Sequence, residues 1–244
     1  MSEVTLSIVR ELSKGDEGFK LYAITPYAYE YVRKATVKGV PGLARDFIAQ
    51  ALKSLSLRTL YRAVKAVLKA DVLEGVKALV DYEVLRVRFA CRGKLPLTSL
   101  MIHEVVTDAL AAYGLCDVLA DALSYIGRRG IPEPGVETRN APHVVRCLRE
   151  YIDPLNAVVA TPFNKVGYQM APSREAYEEL VRSLPGRIIA MSALAAGYLR
   201  PREALSYLRS FRDYLRGAVF GVSRESHTVE TFTLARQYLR NKTP

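Results

Sequence analysis

Three stretches between residues 156 and 232 repeat one pattern. AVVATPFNKVGYQ, RIIAMSALAAGYLRPREALSYL and AVFGVSRESHTVETF each open with a short apolar, partly β-branched run. Each then passes through small or polar residues into a helical pattern. That succession predicts parallel strands joined by crossover helices. TSLMIHEV and GVET extend the series backward, so strands begin near positions 99, 135, 157, 187 and 218. The intervals suit one strand–helix unit each.

The first hundred residues are less regular. Residues 3–9 alternate enough for a short strand, and FKLYAIT, stopped by Pro26, makes a better one. YAYEYVRKA then starts a helix. After Pro41 and Gly42, apolar residues recur three to five apart as far as about Tyr82, which predicts amphipathic helices. In VLRVRFA, Arg86 and Arg88 alternate with apolar neighbours and favour a strand. Eight strands follow, holding Val4, Leu21, Val84, Leu100, Val136, Val158, Ile188 and Val219. The first strand is not followed by a glycine fingerprint, which disfavours a dinucleotide-binding open sheet. The expected fold is therefore α/β: a (β/α)₈ TIM-like barrel in one domain over residues 1–244. Its N-terminal half is irregular and carries a basic helical insertion at about 41–82. The connection between the first two strands is too short for a crossover helix, so regular alternation is not expected there.

Charge sharpens this picture. The 244-residue chain carries a formal net charge of +10, and residues 20–94 hold fifteen Lys or Arg against six Asp or Glu. Such a segment can attract an acidic partner, or it can be the solvated face of helices. No aromatic–basic nucleic-acid motif accompanies it, so nucleic acid is a weaker expectation. The charge-rich composition without Trp suits a heat-loving organism. Cys91, Cys116 and Cys147 are odd in number and form no CxxC pair, so idle thiols in a reducing cytosol are expected. No run is apolar and long enough for a transmembrane segment. The N-terminus lacks the layout of a secretory signal, and a cytoplasmic protein is expected.

If the barrel forms, its active site lies where strands end. This rule gathers His103 and Glu104, then Glu137, Arg139 and Asn140, then Asn164 and Lys165, with Thr25 and Tyr27 as possible additions. On a strand, His103 and Glu104 point to opposite sides, so one alone faces the lumen. His103 and Glu137 are the catalytic candidates, for proton transfer. Arg139, Asn140, Asn164 and Lys165 are the substrate-binding candidates, Arg139 because its guanidinium grips a carboxylate or phosphate. A closing ion pair between Glu137 and Arg139 and a surface role for Lys165 are the structural alternatives. Asp108 reads as a charge favouring a helix N-terminus. Ser192, Gly197, Ser223 and Arg224 are phosphate-binding candidates, because small residues before a helix let backbone N–H groups approach an anion. His143 and His227 read as surface helix residues. No HExxH or clustered acidic motif is present, so no metal is assigned. No cofactor is specified.

IHEVVTDAL, PGVETRN, TPFNKVGYQM and MSALAAGYLRPREAL resemble a group of uncharacterised archaeal TIM-barrel proteins. The order of parts from Leu100 onward also resembles aldo-keto reductases, most strongly over residues 188–199 and 219–230. That second resemblance implies NADP phosphates held by the last two units, and His103 at the substrate-orienting position. No DxAxxY segment for the family's Tyr acid occurs in residues 1–98.

The leading expectation is an enzyme acting on a small, possibly phosphorylated, metabolite at the barrel mouth. One alternative is an NADP-dependent reductase. Another is a binding module that meets an acidic partner through basic helices, with Arg58, Arg62, Lys65 and Lys69 exposed.

Overall fold

A computed structural model describes residues 3–15, 18–25 and 72–239. Helix α1 (Glu3–Leu12) precedes strand β1 (Leu21–Thr25). Helix α2 (Val72–Ala90) leads to β2 (Leu97–Ile102), α3 (Glu104–Ala112), α4 (Cys116–Arg128) and β3 (Glu133–Glu137). Then come α5 (Ala141–Leu148), β4 (Val158–Pro162), α6 (Arg174–Ser183) and β5 (Ile188–Met191). Helix α7 (Pro201–Arg209), β6 (Leu215–Ala218) and α8 (Glu225–Leu239) complete the described chain.

The six strands form one parallel sheet in sequence order, β1 to β6. Right-handed crossovers between neighbouring parallel strands put every connecting helix on the same face. Burial follows that rule. Leu100, Ile102, Val136, Val159, Ile188 and Ala190 join helix residues such as Leu119, Leu123, Val144, Tyr177 and Leu208 in one continuous core. Alternate strand residues point the other way, and Met101, Val158, Ala160 and Ile189 form a separate cluster there.

The sheet is an open half-barrel, and the closed eight-stranded barrel expected from the sequence is not formed. The two missing strands are helices. Residues 3–9 belong to α1, where Leu6 and Val9 are buried while Val4 and Ile8 are exposed. Residues 84–90 end α2, whose buried residues Val76, Val80, Val84, Val87 and Cys91 recur three or four apart. The part of the basic insertion before residue 72 lies outside the described residues, together with Tyr27, Arg58, Arg62, Lys65 and Lys69.

The curl brings the two edge strands together at their N-terminal ends. Arg216 on β6 donates to the Tyr22 hydroxyl on β1 at 3.0 Å and to Glu133 Oε1 on β3 at 2.5 Å. Tyr22 also donates to Glu133 Oε2 at 3.1 Å. Beside Glu133 in sequence, Gly135 marks the tightest point of the concave face. A Cβ there would sit 2.5 Å from the Val158 carbonyl oxygen and 2.7 Å from Met101 Cγ. Only glycine fits without moving β4.

The thiols are not all idle. Cys116, at the start of α4, is bonded to Cys147 on α5, with Cα atoms 5.9 Å apart and a sequence separation of 31. Spacing along the chain hid this pair, because the packing of α4 against α5 brings it together. Cys91 remains a buried thiol. Among the described residues, no helix is long and apolar enough to cross a membrane.

Two stability outcomes follow from this framework. Gly135→Ala is expected to cost about 1–3 kcal/mol through overpacking, read from the denaturant midpoint; an unchanged midpoint would mean β3 and β4 separate easily. Cys147→Ser, or reduction of the wild type, is expected to cost about 2–4 kcal/mol through the freed loop. Equal midpoints with and without reductant would show that the bond contributes nothing to stability.

Candidate active site

Strand β2 ends one residue before His103, and the chain turns at once into α3. His103 is the N-cap of that helix: its Nδ1 accepts from Val105 N at 3.2 Å. A nitrogen that accepts carries no proton, so the ring proton of the neutral form lies on Nε2. That nitrogen faces Glu137 Oε2 at 3.7 Å, inside ion-pair range and longer than a good hydrogen bond.

The early turn changes the expected geometry. Glu104 lies in the first turn of α3, so it does not alternate with His103 as on a strand. Both residues stand beside Glu137. The Glu104 N–H donates to Glu137 Oε2 at 3.4 Å, and the Glu104 carboxylate accepts from Arg139 Nε at 2.5 Å. Glu137 is therefore not closed off by Arg139, which bonds its neighbour instead.

Burial pushes the Glu137 carboxyl above the ordinary carboxylate range. His103 opposes that rise, Glu104 reinforces it, and the Glu104 N–H and Arg139 oppose it weakly. The result is a carboxyl that holds its proton more firmly than a surface glutamate. The Arg139 guanidinium is held above its ordinary value chiefly by its bond to Glu104.

The loop after β3 is fixed by residues that sequence reasoning placed elsewhere. Asp108 accepts from the Thr138 hydroxyl in a very short hydrogen bond, and its other oxygen accepts from Arg139 N at 3.1 Å. It is a clamp across two strand ends, beyond any role in the helix dipole. Tyr177, fully buried on α6, donates to the Arg139 carbonyl at 2.6 Å and accepts from Ala141 N at 3.3 Å. Thr161 donates to the Thr138 carbonyl at 2.8 Å. Asn140 caps α5 by position only, with no side-chain cap bond.

The candidates after β4 serve the scaffold. Asn164 is 1% exposed, and its amide brackets Tyr168: Nδ2 donates to the Tyr168 carbonyl at 2.9 Å, and Oδ1 accepts from Tyr168 N at 2.8 Å. Lys165 makes a half-exposed ion pair with Glu203 at 2.7 Å. Thr25 shares the helix-facing side of β1 with the buried Ala23.

Beyond β5 and β6 lies a cleft of about 860 Å³, within the range of small-molecule sites. Ser192, Gly197 and Ser223 line it, so residues far apart in sequence do converge here. Met191, Tyr168 and Phe220 supply apolar wall, and Arg200, His227 and Glu230 supply charge or proton-exchanging groups. Arg224 stands at the start of α8 outside this lining, its carbonyl accepting from Thr228 N at 3.0 Å. Positive backbone φ occurs at Ser192, Ala195, Ala196, Gly197 and Gln169, and all but Ala195 touch the cleft. Gly197 donates its N–H to Leu194 O at 2.9 Å, which occupies the donor a phosphate would use.

Tyr168 lines the cleft, whereas His103, Glu104, Glu137 and Arg139 lie outside its lining. Among the described residues, no group of three His, Cys, Asp or Glu is placed to hold a metal ion. No family model matches the chain, nor does any curated protein or solved structure.

The raised Glu137 carboxyl has a signed consequence. Folding takes up a proton between its unfolded value, near 4.5, and its higher folded value. Its stabilising contribution is complete below the lower value and is lost as pH rises through the higher one. Glu137→Gln is expected to flatten that part of the curve and to raise stability at neutral pH. Denaturation midpoints at several pH values from 4 to 8 on the ordinary scale test this; parallel curves for the two proteins would contradict it.

Proposed function

We propose that this chain is an enzyme acting on a small anionic metabolite, such as a phosphorylated one, at the C-terminal mouth of the half-barrel. One observation carries the reading: a desolvated Glu137 carboxyl faces His103 Nε2 at 3.7 Å where β2 and β3 end. Carboxyls buried beside a histidine in a concave site suit general acid–base work near neutrality. Glu137 would donate or take the proton, and His103 would exchange it through Nε2. Arg139, half exposed at the rim and already oriented by Glu104, would meet the anionic group. Ser192, Ser223 and Arg200 would hold the far end of the ligand in the cleft.

Cytoplasmic location belongs to the same proposal. A Cys116–Cys147 bond is compatible with it in a hyperthermophile, whose intracellular proteins often carry disulfides, and the charge-rich composition suits such an organism.

A panel of sugar phosphates, small carboxylates and NADP tests the reading by thermal shift, with turnover followed by NMR. A phosphorylated or carboxylated compound is expected to raise the midpoint and to be converted. Glu137→Gln should lower turnover by about 10²–10⁴-fold while binding persists, and Ser223→Ala should weaken binding. Unchanged binding and turnover in both His103→Ala and Glu137→Gln would reject this site. Tight NADP binding would favour the reductase alternative.

A further inference from the structure

At the opposite end of the sheet, where the strands begin, lies a second cleft of about 500 Å³. It is formed by the C-terminal ends of α1 and α2 and the segments that follow them. Arg10, Lys14, Arg88, Arg92 and Lys94 line it, and Glu11 is its single acid. Lys14 already holds Glu11 at 2.7 Å. Arg88 uses one nitrogen on the Arg129 carbonyl at 3.1 Å, which steadies the side chain without neutralising it. In the same lining stands Phe89, 84% exposed, the most exposed large apolar side chain among the described residues.

Two features here ask for one explanation. Cations in the last turn of a helix offset its dipole, which accounts for Arg10 and Arg88. It does not account for Arg92 and Lys94, which lie past the helix end in a turn before β2. Nor does it account for an aromatic ring held in water between Arg88 and Arg92. An acidic protein surface or anionic lipid would satisfy the charge. A flat ring among phosphate-seeking cations fits a ligand that carries both phosphates and stackable bases.

We propose that this cleft binds single-stranded nucleic acid, with Arg88, Arg92 and Lys94 meeting phosphates and Phe89 stacking on a base. The site stands apart from the Glu137 cluster, so it does not depend on the enzyme reading. No base-specific contact is implied: phosphate contacts position the strand, and stacking tolerates any base.

The test uses the full chain and a fluorescein-labelled dodecamer of uridine, read by anisotropy over a salt series. Binding is expected with a log–log salt slope of about −2 to −3, as three or four phosphate contacts give for single strands. Arg92→Gln with Lys94→Gln should make the slope shallower by about 1–1.5. Phe89→Ala should weaken binding about tenfold and leave the slope unchanged, a split that lost folding cannot produce. Phe89→Tyr should restore affinity. Arg58→Gln with Arg62→Gln serves as the contrasting variant elsewhere in the basic segment. No binding at low salt, or binding indifferent to Phe89, Arg92 and Lys94, would overturn the proposal. Equal competition by inorganic polyphosphate or anionic phosphatidylserine vesicles, with Phe89→Ala silent, would overturn it in favour of a general polyanion surface.

Discussion

The handedness of the strand–helix–strand connection constrains everything else in this molecule. Among the described residues six parallel strands lie in sequence order, and the right-handed rule for such crossovers puts the helices between them on one face. The other face must bury its side chains against itself. It does so by curling, with a glycine at the tightest point: a Cβ on Gly135 would meet the Val158 carbonyl and Met101. Curling in turn draws β1 and β6 close enough for Tyr22 and Arg216 to bond at one end. At the other end, the neighbouring ends of β2 and β3 bring His103, Glu104, Glu137 and Arg139 together, and the cleft past β5 and β6 is lined by other residues. The candidate site is thus a consequence of connection geometry, and its residues come from β2, β3, β4 and β5 with little local design.

Within that space the balance of charges is close. Two opposite charges 3.7 Å apart, as His103 and Glu137 would be if both ionised, attract by about 4 kcal/mol at an effective dielectric of 20. Burying an ion costs several kcal/mol, which is of the same order. Neither term dominates, so a modest change tips the proton. An anionic ligand arriving beside Glu137 would favour the neutral carboxyl further, and loss of Glu104 would favour the ionised form. Arg139 does not decide the matter, because its guanidinium is committed to Glu104 at 2.5 Å. This division of partners gives the Arg139 fork to Glu104 and leaves His103 facing Glu137.

Much of this was legible in the residues from Leu97 onward. Short apolar runs broken by polar turns mark β2 to β5, while the last strand is Leu215–Ala218, about three residues earlier than the run expected from position 218, and Val219 falls past its end. The first hundred residues misled for a definite reason. Seven residues cannot separate a period of 2 from one of 3.6 when Arg86 and Arg88 happen to flank Val87. Buried Asp81 and Glu83 deepened the confusion by putting charge on the inward face of α2, where Tyr125 bonds Asp81 at 2.6 Å and Arg86 pairs with Glu83 at 3.3 Å. Polar residues after a strand were harder still. Asn164 and Glu137 look alike in sequence as groups at strand ends, yet one closes a loop and the other faces a histidine. Only the fold distinguishes an amide spent on Tyr168 from a carboxyl set 3.7 Å from His103 Nε2.

The loop after β5 shows how the cleft would recognise a ligand. Ser192, Ala195 and Ala196 adopt φ of 50°, 47° and 55°, each in the left-handed region without being glycine. Such residues cost about 1–2 kcal/mol apiece, so the surrounding structure must hold this shape. The shape does not expose a row of N–H groups, because Ala195, Gly197, Tyr198 and Leu199 all donate to carbonyls of the same loop. A backbone cradle for phosphate is therefore not what the strain maintains. What it maintains is the placement of side chains: Ser192 stands opposite the Ser223 loop, and Leu194 and Leu199 close the wall around it. The polar residues that the lining offers beside this loop are Ser192, Ser223 and Arg200, set among Met191, Leu194, Leu199 and Phe220.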